Sequence, residues 1–277
     1  PPLFSSRRRH TRYKDWSRGL GDVYKRQTEY RAWTVWDAGI RRFHWINLLC
    51  MLGLIGVALV ILNAKSLGVS TDGKILLKTV HVWIGYVFAM NLAWRLVLAF
   101  TGGPHARWRA ILPFARGYRN EVRDHVTAFR TGRPRQYLGH NPLGRLAVTV
   151  LLLLLTTQAV TGLVLAGTDL FYPPIGGWIA DRVAAPGVDP GTLVPYAPQM
   201  YDEDAWQGMR AFREPFITVH YYGFFALLAL IVLHVTAVVV TELRGGGNLV
   251  SAMITGRKVL SEPPADLASA GNESSEN

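Results

Sequence analysis

The sequence has a single cysteine, few acidic residues and no glycine-rich fingerprint of a nucleotide-binding enzyme. Cys50 cannot form a disulfide within the chain, so a disulfide-framed extracellular domain is not expected. Only 19 acidic residues stand against 30 basic ones, and none lies in the middle of a long apolar run. Because proline does not interrupt those runs either, a transporter with broken helices is not favoured. No G-x-G-x-x-G follows a predicted strand, so hydride chemistry by this chain is not expected.

Four long apolar runs dominate what is present. Each has about 20 residues, which as a helix crosses a hydrocarbon core of about 30 Å. None resembles a cleaved signal peptide, because no small-residue cleavage site follows the first run. The sequence therefore predicts an all-α membrane protein, a bundle of four transmembrane helices within one domain over 33–260. The predicted helices cover about 43–63, 79–100, 146–167 and 216–241.

The two ends of the chain differ from this domain. Residues 1–27 contain eight basic and two acidic residues, lack apolar periodicity, and resemble a translated sequencing adapter. We expect this segment to be non-native and disordered; the alternative is a basic arm that binds anionic lipid or nucleic acid. Residues 261–277 are polar and are also expected to be disordered. No nucleic-acid partner is expected for the domain itself.

The charges of the connections predict an orientation. Residues 101–145 carry nine arginines and two acidic residues, whereas 168–215 carry three arginines and seven acidic residues. We expect the protein to lie in the bacterial inner membrane. The positive-inside rule then puts both termini and the arginine-rich connection in the cytoplasm. The short connection 64–78 has three lysines and one aspartate, which is a small violation of that rule.

Four histidines within the apolar runs form two groups by depth. His220 and His234 are fourteen residues apart, so a helix turns about 1400° between them and both point to one side, about 21 Å apart along its axis. Consecutive helices cross in opposite directions. His44, early in the first helix, therefore lies near the depth of His234, and His81, early in the second, lies near that of His220.

These matched depths indicate two haem groups, each between two imidazoles. The predicted axial pairs are His44 with His234 and His81 with His220. Without a C-x-x-C-H motif, the haem must be of the noncovalent b type. Each ligand is a neutral imidazole whose other ring nitrogen needs an acceptor, which the sequence does not identify. The alternative is a neutral histidine that only hydrogen-bonds to a neighbouring helix.

Three further histidines lie in the arginine-rich connection and are expected to be solvated. They are His105, His125 and His140. Of these, His140 could compete with His44 as a ligand on the same side of the membrane. Asn141 followed by Pro142 has the pattern of a helix N-cap with proline at the first position, and we prefer that role for this segment.

Two polar residues inside the runs have open interpretations. Arg95 lies fourteen residues after His81, where it could pair with the propionates of the inner haem or extend to the lipid headgroups. Gln158, in the middle of the third helix, is expected to hydrogen-bond across the bundle, with a place in a quinone pocket as the alternative.

The connection 168–215 is long for a structureless segment, and such segments are usually functional. It is either a lid over the outer haem or a docking surface for a redox partner. Within it, a short amphipathic segment over 204–212 could lie flat on the membrane.

Four segments resemble the bacterial cytochrome b561 and Ni,Fe-hydrogenase b-type cytochrome group. They are VWDAGIRRFHWINLL, HVWIGYVFAMNLAWRLVLAF, YLGHNPLGRLAV and ELRGGGNLVSAMITGRK, within a resemblance that covers about 33–260. The resemblance implies a four-helix membrane bundle with two haem b groups, one histidine ligand in helix one, one in helix two and two in helix four. The matching positions are His44, His81, His220 and His234.

The resemblance also implies transmembrane electron transfer between the quinone pool and a partner. That partner would be a hydrogenase, a c-type cytochrome or another oxidoreductase subunit, and the chain is more readily an electron-carrying subunit than a stand-alone enzyme. Two alternatives remain open: a self-sufficient quinol-dependent oxidoreductase acting on oxygen or superoxide, and a haem-free membrane anchor.

Overall fold

The protein is a bundle of four long helices with a small folded region at each end. The structure, a computed structural model, describes residues 30–115, 117–245 and 248–267. The long helices are α1 (Ala38–Leu62), α2 (Thr71–Thr101), α5 (Pro142–Leu170) and α7 (Glu203–Gly245). Between and after them come α3 (Trp108–Ile111), α4 (Tyr118–Arg130), α6 (Gly176–Val183) and α8 (Leu249–Thr255), and the strands β1 (Arg31–Thr34) and β2 (Arg257–Leu260).

All four long helices are long and apolar enough to cross a membrane, which confirms the predicted helical membrane bundle. They extend beyond the predicted apolar runs at nearly every end. The largest difference is at α7, which begins at Glu203 rather than near 216. The segment over 204–212 is therefore continuous with the membrane helix and does not form a separate surface helix. Pro215 lies within α7 at the junction, where it removes one backbone donor.

Side-chain caps define where three of the helices begin. Asp37 accepts from the Ile40 N–H at 2.8 Å, and Ser70 caps α2 in the same way. Asn141 accepts from the Gly144 N–H at 2.7 Å, with Pro142 at the first helical position. The predicted N-cap at Asn141 is thus confirmed, and it places His140 one residue before the cap.

The packing of the four helices leaves one side open. Here the inner end is the end where α1 and α5 begin, and the outer end is where α2 and α7 begin. The helices α1 and α2, α2 and α5, and α5 and α7 pack closely along their lengths. Within the described residues, α7 makes no comparable contact with α1 or α2. An interhelical gap therefore separates α7 from the α1–α2 pair.

At the outer end, residues 171–202 form a small folded region on the bundle. Its core contains Ile179, Val183, Tyr201 and Met209, with Trp206 stacked on Tyr201 at 4.3 Å between ring centroids. Beside this region, Asp169 at the end of α5 joins the long helices to one another. This carboxylate pairs with Lys78 at 2.5 Å and Arg213 at 2.6 Å, so α2, α5 and α7 meet there.

At the inner end, an antiparallel two-stranded sheet joins the two ends of the domain. Trp33 of β1 is opposite Lys258 of β2. The chain beyond β2 also contributes: Asp266 accepts from the backbone N–H groups of Leu138 and Gly139, both at 2.9 Å. Residues 261–267, assigned from the sequence to the polar tail, thus contact the domain. The predictions for residues 1–27 and 268–277 lie outside the described residues.

Candidate functional site

The interhelical gap is lined by the four histidines predicted from the sequence. His44 comes from α1, His81 from α2, and His220 and His234 from α7, and each is half-buried. A half-buried imidazole within a membrane helix is costly unless it has a partner, because lipid supplies no hydrogen bonds. The four imidazole rings therefore lie on the side of the bundle where the helices pack least closely.

At the outer end, His81 and His220 face each other. Their ring centroids are 6.4 Å apart with 78° between the ring planes. This is too far for a direct hydrogen bond between the rings. Imidazole–metal bonds are about 2 Å long, and about 1 Å more separates each nitrogen from its ring centre, so two imidazoles on one metal have centroids about 6 Å apart. The spacing suits one metal centre between the two rings.

Thr161 of α5 contacts the ring of His220. Its hydroxyl donates to the Thr157 carbonyl at 2.7 Å, and the same oxygen lies 2.9 Å from His220 Nδ1. Because the hydroxyl proton is used on the carbonyl, this oxygen suits an Nδ1–H donor, and the lone pair of the imidazole is then on Nε2. A ligating histidine usually has such an acceptor on its other nitrogen. Thr161 is the acceptor that could not be identified from the sequence, since a threonine in an apolar helix has no distinctive local pattern.

The backbone around His220 is also held by α5. Gln158 donates from Nε2 to the His220 carbonyl at 3.1 Å, which confirms the predicted hydrogen bond across the bundle. Gly223 makes room for it, because a Cβ there would lie 2.6 Å from Gln158 Nε2. Gly162 has a similar role, since its Cβ would lie 3.3 Å from His220 Cε1. Close contact between α5 and α7 therefore positions His220 independently of any group in the gap.

At the inner end, His44 lies near the start of α1 and His234 in the last third of α7. His44 Nδ1 is buried and has no hydrogen-bond partner in the described part of the chain. The same is true of Asn47 Oδ1, one turn further along α1. Such unpaired buried atoms are rare in folded proteins and indicate that a further group is needed to complete the site.

Arg95 lies near this inner pair and is only 5% exposed, so it does not extend to the headgroups. Its guanidinium packs 6.0 Å from the Phe43 ring centroid, and its Nη1 has no hydrogen-bond partner among the residues that the structure describes. A buried guanidinium with an unpaired N–H group fits a carboxylate such as a haem propionate. The geometry thus favours pairing of Arg95 with a propionate over extension to the lipid headgroups.

His140 is also brought to the inner pair. Its ring packs on Trp36 at 4.9 Å between centroids, and its Nδ1 is buried without a partner in the described residues. Burial lowers the pKa of His140 to about 3, helped by the charges of Lys258 and Arg95 and by its neighbours His105 and His234. The imidazole is therefore neutral near pH 7, and it remains a rival to His44.

The expectation that the other connection histidines are solvated is wrong for His125. This residue is 7% exposed, and its ring contacts Tyr137 at 5.5 Å between centroids. Burial lowers its pKa, with a smaller contribution from the Arg135 charge. It was misjudged because α4 has its apolar side turned toward the bundle, although the connection as a whole is rich in arginine.

An apolar layer lies between the two histidine pairs. It comprises buried side chains of all four long helices: Cys50, Met51, Phe88, Leu92, Leu152, Leu155 and Leu227. Phe88 follows His81 by seven residues, and Leu227 is seven residues from both His220 and His234, which is about 10 Å along a helix. The layer thus excludes water midway between the two sites.

Comparison with known proteins agrees with this arrangement. The family model of prokaryotic cytochrome b561 matches residues 35–256. The chain is 25% identical over 240 residues to the probable Ni/Fe-hydrogenase B-type cytochrome subunit of Cupriavidus necator, covering 84% of this chain and 89% of that protein. It is 26% identical over 256 residues to the subunit of the same name from Azotobacter chroococcum mcd 1, covering 89% and 96%.

A shorter match is the probable Ni/Fe-hydrogenase 1 B-type cytochrome subunit of Escherichia coli (strain K12), 30% identical over 142 residues, or 47% of this chain and 59% of that protein. No solved structure matches the chain. The family model spans all four long helices and every histidine of the gap. This chain is therefore a member of the prokaryotic cytochrome b561 family, whose proteins are helical membrane bundles that bind haem b.

Proposed function

We propose that this chain carries electrons across the membrane, through two bis-histidine haem b groups, between the quinone pool and a partner hydrogenase. The pairing of His81 with His220 is the observation on which the proposal chiefly rests, because its 6.4 Å spacing suits a metal centre. The names of the relatives, which are hydrogenase cytochrome subunits matched over most of their length, support the partner.

In the outer site, His81 and His220 are the proposed axial ligands. Thr161 holds His220 in the tautomer that presents Nε2, and Gln158 holds the backbone of the same residue. These contacts are made by α5, which packs against α7 without entering the gap. His220 is therefore held in place before a haem binds, which reduces the entropy that binding must overcome.

In the inner site, His44 and His234 are the proposed ligands and Arg95 the proposed partner of a propionate. Haem supplies reversible one-electron chemistry when bound, and axial ligation, burial and nearby charge set its potential. The positive charge of the buried Arg95 stabilises negative charge beside it, such as that of a propionate. His140 stays an alternative to His44, and only a change in ligation on substitution distinguishes the two.

The apolar layer supports transfer along the gap. The two sites are about 21 Å apart along α7, and buried apolar side chains, among them Phe88 and Leu227, lie between them. Water and ions are excluded from this layer, so electrons can cross it while protons cannot follow. Such separation is what a carrier that links reactions at opposite membrane faces requires.

Haem content and spectra of histidine variants test the proposal. The purified chain should contain two haem b groups, and His81→Ala and His220→Ala should each remove the same spectral component. His44→Ala and His234→Ala should remove the other. His125→Ala is the matched control, because it removes a buried histidine away from the gap and should leave both haems. A colourless protein, or loss of one shared haem in His44→Ala and His81→Ala, contradicts the proposal.

The partner is tested separately in proteoliposomes. With the cognate Ni/Fe-hydrogenase added, hydrogen should reduce both haems, and an added quinone should then reoxidise them. Without the hydrogenase, hydrogen should reduce neither. Steady oxidation of quinol by oxygen with the purified chain alone would instead favour the self-sufficient oxidoreductase.

A further inference from the structure

The arginine-rich connection enters the inner end of the bundle. Ile111, at the end of α3, is fully buried and belongs to the same apolar cluster as Leu152 and Leu155 of α5. Its carbonyl accepts from Thr149 Oγ1 at 3.1 Å, and the next carbonyl, of Leu112, accepts from Arg145 Nη2 at 2.6 Å. Thr149 is seven residues into α5, about 10 Å from its start. The chain near 111 therefore lies at the depth of the transmembrane helices.

An exposed phenylalanine follows directly. Phe114 is 80% exposed, three residues after the fully buried Ile111. A large apolar ring at this depth, beside the outside of the bundle, has lipid as its neighbour, and aromatic residues at the boundary between tails and headgroups are favourable there. The surface around Phe114 therefore suits the boundary between lipid tails and headgroups.

Next to this ring is a cavity of about 630 Å³ with a cationic edge. It is lined by Phe114, Tyr118, Arg119, Asn120 and Arg123, among others. Arg119 and Arg123 are one turn apart on the same face of α4, and both are exposed. The cavity thus combines an apolar wall with two guanidinium groups.

Little negative charge in the protein opposes these arginines. The only carboxylate close to Arg123 is Asp124 at 4.0 Å, and Arg119 has no carboxylate within 4.0 Å among the described residues. Glu121, the other acidic residue of α4, is turned toward Arg145 at 3.4 Å. Two exposed arginines, of which only Arg123 has a carboxylate nearby, attract an anion at a membrane surface, and a phosphate suits the planar guanidinium fork.

We propose that this cavity binds the phosphate headgroup of an anionic phospholipid, with Arg119 and Arg123 on the phosphate and Phe114 against the acyl chains. Basic pockets beside transmembrane helices at the cytoplasmic surface are suited to such headgroups. The occupant is a lipid rather than a free phosphate because the apolar wall and the membrane depth of the cavity offer nothing to a small soluble anion. The site does not depend on the proposed function.

The test measures binding of short-chain phosphatidylglycerol to the full-length, haem-loaded protein in detergent, with phosphatidylcholine as the neutral comparison. Each arginine near an anionic surface contributes a factor of about five in affinity, so Arg119→Gln with Arg123→Gln should weaken phosphatidylglycerol binding about 25-fold. Phosphatidylcholine binding should not change. Phe114→Ala should weaken binding of the lipid without changing the charge of the cavity.

The matched control is Arg130→Gln with Arg133→Gln, which removes the same charge from the same connection outside the cavity. This pair should leave phosphatidylglycerol binding within about twofold of the parent. Equal losses in the two double variants would overturn the proposal, because the connection would then act only through its total charge. Competition by inorganic phosphate at millimolar concentration would also overturn it, since the site would then take the free anion. The haem spectrum verifies that each variant is folded.

Discussion

At the scale of single residues, the hydroxyl of Thr161 determines which nitrogen of His220 faces the gap. Thr161→Val keeps the shape but removes the acceptor of the Nδ1–H at 2.9 Å. Because the loss of such an outer partner usually costs about 10- to 100-fold in metal affinity, the outer haem should be retained less well and its reduction potential should shift. Haem content after dialysis and a redox titration measure both effects.

The control for this variant lies one turn away on the same helix. Thr157 donates its hydroxyl to the Leu153 carbonyl at 3.0 Å and makes no side-chain contact with His220 in the described structure. Thr157→Val should therefore leave both haems unchanged. If Thr157→Val and Thr161→Val behave alike, the hydroxyl contact with His220 has no part in haem binding.

Single residues also show how far sequence reasoning extends. The stripe formed by His220 and His234 is visible because a helix repeats its faces at a fixed spacing, and the structure does turn both rings toward the gap. Thr161 and the burial of His125 were not predictable in this way. Each depends on which neighbouring helix packs against it, and that information is not local in the sequence.

At the scale of secondary-structure elements, Asp169 joins three helices at the outer end. Asp169→Asn leaves Lys78 and Arg213 facing a neutral amide, and Arg213 Nε already has no partner in the described residues. Since these side chains are partly exposed, we expect a loss of about 1–3 kcal/mol, below the cost for a fully buried pair. A lower midpoint of thermal unfolding and weaker retention of the outer haem should accompany it.

A neighbouring acidic residue provides the comparison for Asp169. Asp181 of α6 is exposed and lies in the adjoining folded region over 171–202. Asp181→Asn changes the net charge equally and should leave the thermal midpoint within about 1 °C, since surface substitutions have small effects. Equal destabilisation by both variants would show that the charge of the region, rather than the three-helix contact, is what matters.

The second element-scale prediction concerns β2 and the inner end. Lys258 is buried, and its Nζ donates to the carbonyls of Tyr137, Leu138 and Gly139 at 3.1, 2.6 and 3.0 Å. Burial lowers its pKa to about 8, although the Asp266 charge acts in the opposite direction. Lys258→Met fills the volume but leaves three carbonyls unpaired, so the thermal midpoint should fall by about 5–10 °C. Lys65→Met, at an exposed lysine, should not change it.

The elements themselves were predictable to unequal degrees. Long apolar runs identify the four membrane helices, because no other structure satisfies so many backbone groups in lipid. The ends were missed because polar residues continue the helices past the apolar runs, most clearly from Glu203 to Pro215 in α7. The strands β1 and β2 were missed because each has four residues and its partner is more than 200 residues away.

At the scale of the whole molecule, the proposed function depends on the weak packing between α7 and the α1–α2 pair. A four-helix membrane bundle could close all of its interfaces with apolar side chains. This one instead places two levels of histidine along an open side, and an apolar layer between them. The arrangement suits a chain that holds redox groups at two depths and keeps water from passing between them.

The orientation of the molecule remains a prediction from the number of basic residues in each connection. The connection 64–78 has three lysines, whereas residues 101–145 have nine arginines. We therefore still expect residue 65 to face the exterior and residue 133 the cytoplasm.

Single-cysteine labelling measures this directly. In a Cys50→Ala background, which removes the one native thiol, Lys65→Cys and Arg133→Cys each place a thiol at an exposed position. A membrane-impermeant maleimide added to intact spheroplasts should label Lys65→Cys within minutes and leave Arg133→Cys unlabelled until the membrane is opened. The opposite labelling pattern would show that the protein has the reverse orientation in the membrane. The inner histidine pair and the cavity at Arg119 would then face the exterior, and an outer leaflet poor in anionic lipid would leave that cavity without its proposed ligand.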